Sequence, residues 1–126
     1  MCGIRAFARR ALPGIILFCD GAKIMNNYQK LAAEMAKKYG LSRDAMIRYA
    51  DLVSEVGEVG KELLVGGDYG DKKIQPTESL ARELGDVVFS LVSLANCLNL
   101  DLEECFAAAA EKYEIRFSQS GRIGSR

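Results

Sequence analysis

The sequence predicts an all-α fold of four helices. Three observations carry this: apolar residues recur at helical spacing, cap and breaker residues bracket four such stretches, and no alternating strand pattern occurs. From Asn27 the positions Tyr28, Leu31, Ala32, Met35 and Tyr39 line one helix face, and Gly40 stands where a C-terminal cap belongs. Ser42 is the expected cap of a second helix over residues 43–65, stopped by Gly66 and Gly67. Residues 66–76 have no periodicity and read as a loop. Thr77, between Pro76 and Glu78, caps a third helix that ends near Leu98. Asp101 and Glu104 form a D-x-x-E box that opens a fourth helix through Phe117, followed by a polar, basic tail over residues 118–126.

The third helix has an unusual composition. After Asp86 it carries no charge as far as Leu98, and Val87, Val88, Phe89, Leu91, Val92, Leu94 and Ala95 cover nearly its whole circumference. A domain this small can hardly surround such a helix with its own chain, so the third helix is expected in a subunit interface, making at least a homodimer. The alternative is burial inside a monomeric bundle.

With 126 residues, 49% of them hydrophobic, the chain has material for one core and not for two independent ones. The globular domain is expected over residues 25–126, with residues 1–24 an N-terminal extension or loosely packed arm. That arm holds Arg5, Arg9, Arg10 and the apolar run from Ile15 to Cys19, but Pro13 and Gly14 interrupt it, it is short for a membrane span, and no cleavage-site pattern follows. Lys plus Arg equals Asp plus Glu at 17 each, which argues against nucleic-acid or membrane binding through a global positive field. The cysteines Cys2, Cys19, Cys97 and Cys105 form no C-x-x-C pair, and the last two fall at apolar helical positions, as in a reduced cytoplasmic protein. There is no histidine, which excludes imidazole bases, Ser-His triads and histidine-ligated zinc or di-iron sites. Metal chemistry is left to carboxylates.

The carboxylates are arranged accordingly. On the second helix Asp51, Glu55, Glu58 and Glu62 share one stripe, and like charges at these spacings destabilise a helix unless solvent or a cation compensates. Leu52, Val59, Ile47 and Val65 border the stripe, so the acids are expected to line a cleft and not an open surface. On the third helix Glu83 and Asp86 share a face among Leu80, Leu84 and Val87. If the two helices pack side by side, Glu55, Glu58, Glu83 and Asp86 converge as oxygen ligands for a hard cation. The competing reading is an exposed acidic face or a salt-bridge network. Gly57 and Gly85, inside the two motifs, suggest close backbone approach.

The motifs Glu55-Val-Gly-Glu58 and Glu83-Leu-Gly-Asp86-Val, each on a helix and separated by a loop, resemble the paired E-x-x-E and E-x-x-D motifs of the MazG-like, all-α nucleotide pyrophosphohydrolases. The resemblance runs from about Tyr28 to the end of the chain and includes the run Asn99-Leu-Asp-Leu-Glu-Glu104 and the segment with Lys112, Tyr113 and Arg116. It implies a four-helix MazG-like bundle that cleaves a nucleoside triphosphate, foremost a deoxynucleoside triphosphate, to the monophosphate and pyrophosphate. It also implies Mg²⁺ held by Glu55, Glu58, Glu83 and Asp86, a homodimer or dimer of dimers, and a role in sanitising the nucleotide pool. One departure stands out: relatives often carry a further glutamate just before the first motif, where this chain has Ser54.

Within that reading Glu55 or Glu58 orients or deprotonates the attacking water, and Lys112 with Arg116, i and i+4 on the fourth helix, can supply phosphate-binding cations. Their alternative is an ordinary solvated pair near a helix C-terminus. Lys72 and Lys73 could reach a phosphate, although loop lysines are commonly just solvated; Tyr69 and Phe89 could stack on a base, with interface core the stronger reading of Phe89; Asn96 could read a base edge, with a structural hydrogen bond favoured. Two rival functions are a phosphoribosyl-ATP pyrophosphohydrolase, separable by substrate, and a catalytically silent helical dimer that binds a nucleotide or a protein partner.

Overall fold

The computed structural model describes residues 24–124. The reading of residues 1–24 as an extension, and Cys2 and Cys19 with it, falls outside the described residues apart from Ile24. Four helices occur in chain order: α1 (Ile24–Tyr39), α2 (Ala45–Gly66), α3 (Glu78–Cys97) and α4 (Leu102–Ser120), with a 3-10 turn at Asp68–Gly70 and no strand among the described residues. The all-α expectation holds.

Helix ends follow local chemistry. Gly40 takes φ +65° and the Leu41 N–H reaches back to the Ala36 carbonyl at 2.9 Å, closing α1 in the left-handed conformation that glycine adopts without steric cost. The cap of α2 is Asp44 and not Ser42: Asp44 Oδ1 accepts from the N–H groups of Met46 at 2.8 Å and Ile47 at 3.1 Å. Ser42 instead accepts from the Asp44 N–H at 3.1 Å and steadies the cap. Thr77 caps α3 by accepting from the Leu80 N–H at 3.0 Å. Asp101 Oδ1 takes the N–H groups of Glu103 at 2.9 Å and Glu104 at 3.3 Å. Helix α4 continues past Phe117 to Ser120, where Gly121 at φ +66° ends it, so the start of the expected polar tail is helical.

The chain divides into two compact units, one spanning Lys23–Ala107 and a second that takes in Ala108–Arg126. In the first, α2 packs along α3, and α3 also packs on α1. The α2 and α3 axes run antiparallel. A parallel pair would require residues 67–77 to return the length of a 22-residue helix, about 33 Å at 1.5 Å per residue. The link instead folds back at once: the Lys72 N–H donates to the Gly67 carbonyl at 2.9 Å, and Ile74 lies 3.0 Å from where a Gly67 Cβ would stand.

The core is small, made of Ala32, Val92 and Ala95 with the buried polar residues Ser90 and Ser93. Gln29 is its polar clamp. Its amide donates to Asn96 Oδ1 at 3.0 Å and to the Leu100 carbonyl at 2.8 Å, its own carbonyl oxygens accept from Asn96 Nδ2 at 2.8 Å and the Leu102 N–H at 3.0 Å, and α1 is thereby fixed to the C-terminal end of α3. Asn96 therefore has a structural partner within its own chain. Cys97 is half-buried, whereas Cys105 is exposed and not a core residue; both are free thiols.

Much apolar surface stays uncovered. On α2, Met46, Ala50, Val53 and Gly57 are exposed, and with Leu64 they follow the alternating four- and three-residue spacing of a helix-packing stripe. Helix α3 buries Ser90, Val92, Ser93 and Ala95 in its own chain but leaves Leu84, Val88 and Leu91 exposed on another face. No single helix among the described residues is long and apolar enough to cross a membrane.

In the second unit the side chains of Lys112 and Arg116 both lie over the Tyr113 ring, with Nζ 5.0 Å and Cζ 6.0 Å from its centre.

Candidate metal centre

Helical periodicity on α2 and α3, with the antiparallel pairing of the two, builds the site. Glu55, midway along α2, meets Glu83 and Asp86 from the first half of α3, and carboxylate oxygens of all three lie within 4.8 Å of one another. Glu55 and Glu83 are half-buried and Asp86 is exposed, so the group opens to solvent on one side. The carboxyl of Glu55 is held above its ordinary value of 4.5, first by partial desolvation and then by the negative charges of Asp86, Glu83, Asp51 and Glu58. A cation among the three would relieve that repulsion.

Glu58, the fourth expected ligand, is not gathered with the trio. Its Oε2 accepts from Lys61 Nζ at 2.9 Å, and this contact raises the Lys61 ammonium above its usual range. Glu58 stands one turn from Glu55 on the same side of α2. Among the described residues the close backbone approach expected at Gly57 and Gly85 does not occur: both glycines are exposed, and no atom comes within 4 Å of a Cβ added at either. Lys72 is paired with Asp68 at 2.6 Å, Tyr69 is exposed with φ +53°, and Phe89 is half-buried. Lys112 and Arg116 belong to the second unit.

The donor set fits a hard divalent cation. Three carboxylates offer only oxygen ligands, with neither imidazole nor thiolate among them, and three protein ligands leave positions for water and phosphate oxygens.

The family model of the MazG nucleotide pyrophosphohydrolase domain matches residues 43–119, more than half of the chain and the whole span of the carboxylates. The chain belongs to the MazG family. Among curated proteins, the uncharacterized protein YpjD of Bacillus subtilis (strain 168) is 41% identical over 70 residues, covering 53% of this chain and 61% of that relative. No solved structure matches. The MazG match places both acidic motifs, the link between them and most of α4 inside one domain type.

Two features of the seam escaped sequence reading. Arg48 lies on the Glu55 face of α2, and Ser90 and Ser93 lie on the Asp86 face of α3 as polar residues in an apolar run. The available signal was the i, i+7 spacing from Arg48 to Glu55 and from Asp86 to Ser93.

Proposed function

We propose that this MazG protein is a magnesium-dependent pyrophosphohydrolase that cleaves a nucleoside triphosphate between its α and β phosphates, a deoxynucleoside triphosphate foremost, in sanitation of the nucleotide pool. The observation that carries the reading is the convergence of Glu55, Glu83 and Asp86 from two helices to within 4.8 Å, in a domain of matching family. Glu55, Glu83 and Asp86 would hold the cation, with Glu58 joining once it leaves Lys61. When bound, Mg²⁺ supplies charge neutralisation of the polyphosphate and polarisation of the α-phosphoryl group.

The side chains do the rest. One of the two α2 glutamates, Glu55 or Glu58, orients the attacking water and takes its proton. Attack is in line at the α phosphorus, its bond to the bridging oxygen breaks, and pyrophosphate leaves with the electron pair. Lys112 and Arg116 remain the proposed phosphate-binding cations of the C-terminal segment.

The exposed stripe from Met46 to Leu64 and the uncovered Leu84, Val88 and Leu91 favour a homodimer or dimer of dimers, with α3 contributing to the interface. A panel of standard and modified NTPs and dNTPs, assayed for pyrophosphate with and without Mg²⁺, tests the function. Metal-dependent pyrophosphate release from one or more of them is expected. Tight nucleotide binding without turnover would make the silent dimer the better account, and turnover of phosphoribosyl-ATP alone would reassign the substrate.

A further inference from the structure

A second polar constellation lies along the same seam. Arg48 precedes Glu55 by seven residues, which places it about 10 Å down the α2 axis and about 20° from the Glu55 direction. Its side chain is only 14% exposed, against 65%, 71% and 72% for the ion-paired Lys61, Lys72 and Arg82. One terminal nitrogen holds Asp51 at 2.8 Å, while the Nε is buried with no hydrogen-bond partner among the described residues.

Across the seam the antiparallel register that joins Glu55 to Glu83 and Asp86 sets Arg48 level with Ser90 and Ser93, each seven residues further along α3. Ser93 is 7% exposed, and its hydroxyl is likewise without a partner among the described residues. Two orphaned buried donors at one level are costly, and the feature that would justify them is an acceptor that arrives with a ligand. A guanidinium with a free N–H edge is suited to phosphate oxygens, and a hydroxyl beside it adds a further donor.

We propose that Arg48 and Ser93 anchor the pyrophosphate portion of the substrate, the group that departs in the reaction, along the α2–α3 seam. Asp51 holds the guanidinium in place before the substrate arrives. The assignment rests on the pyrophosphohydrolase reading and adds to it a substrate-binding cation on α2.

The test is calorimetric titration of inorganic pyrophosphate with Mg²⁺ into the full chain and its Arg48→Gln, Arg48→Lys and Ser93→Ala variants, alongside the thermal shift given by Mg²⁺ alone. Arg48→Gln is expected to weaken pyrophosphate binding about tenfold or more and Ser93→Ala about threefold, with Arg48→Lys recovering part of the loss. The Mg²⁺ shift should stay as in the wild type. Wild-type affinity in both Arg48→Gln and Ser93→Ala would reduce Arg48 to the partner of Asp51 and overturn the proposal. A wild type that Mg²⁺ stabilises but that does not bind pyrophosphate overturns it too, leaving the metal centre standing. If Mg²⁺ gives no shift in the wild type, the metal centre itself fails and this anchor with it. Should the Arg48 variants not fold, Ser93→Ala decides alone.

Discussion

Glu55 is the carboxylate on which the negative charge of the α2–α3 seam converges. A half-buried carboxylate among four other acids is held protonated to higher pH than a free one, so the folded state binds a proton that the unfolded chain has released. Its contribution to stability is present below the ordinary value of 4.5 and is lost as pH rises through the raised value. In metal-free buffer the thermal midpoint should therefore fall as pH rises through this window, and saturating Mg²⁺ should restore it at pH 7.5 but add little near pH 4. Glu55→Gln should raise the metal-free midpoint at neutral pH, abolish the Mg²⁺ shift and cut turnover by about a hundredfold or more. Scanning calorimetry with and without EDTA reads the first two effects. An Mg²⁺ shift retained in the variant would separate Glu55 from the ion.

At the scale of elements, the helices and most of their caps were legible because Gly40, Thr77 and Asp101 act through local hydrogen bonds that sequence alone specifies. The cap of α2 was misplaced by two residues because Ser42 and Asp44 are both competent, and only the extended backbone at Asp44, φ −75° and ψ 122°, decides between them. Glu55, Glu83 and Asp86 could be paired in advance, since acids on two apolar-bordered faces have few other places to go. Arg48 and Ser93 could not, because their relation depends on the register between two helices, which no single-helix pattern contains. The pairing of Glu58 with Lys61 is a choice of rotamer and equally invisible in sequence. Thr77→Ala should cost about 1 kcal/mol by removal of the α3 cap. Asn96→Ala should cost about 1–3 kcal/mol by stranding the Gln29 groups it satisfies. Urea denaturation of each variant measures both, and an additive double variant of Gln29 and Asn96 would deny that the two act as a unit.

On the scale of the whole molecule, the described residues leave much apolar surface uncovered. Among the described residues three buried hydrophobic residues stand against long stripes of exposed ones on α2 and α3, and the proposed homodimer or dimer of dimers would cover them. Light scattering coupled to size exclusion should return a dimer or tetramer at micromolar concentration. Val53→Asp, in the middle of the α2 stripe, should shift it toward monomer and lower the thermal midpoint. A wild-type monomer would instead mean that the stripe meets something other than this chain. The composition of α3 prompted the oligomer reading from sequence, yet α3 covers part of its length with α1 and α2, and the α2 face, which periodicity alone presented as an acidic cleft wall, exposes an uncharged stripe behind it.

The most direct measurement is phosphorus NMR of the products formed from a cleaved deoxynucleoside triphosphate by the wild type and by Asp86→Asn at saturating Mg²⁺. Monophosphate with pyrophosphate from the wild type, none without the metal, and a loss of rate of about a hundredfold or more in the variant are the predicted results. Orthophosphate with diphosphate, or an unchanged rate in Asp86→Asn, would contradict the assignment of this carboxylate centre to cleavage between the α and β phosphates.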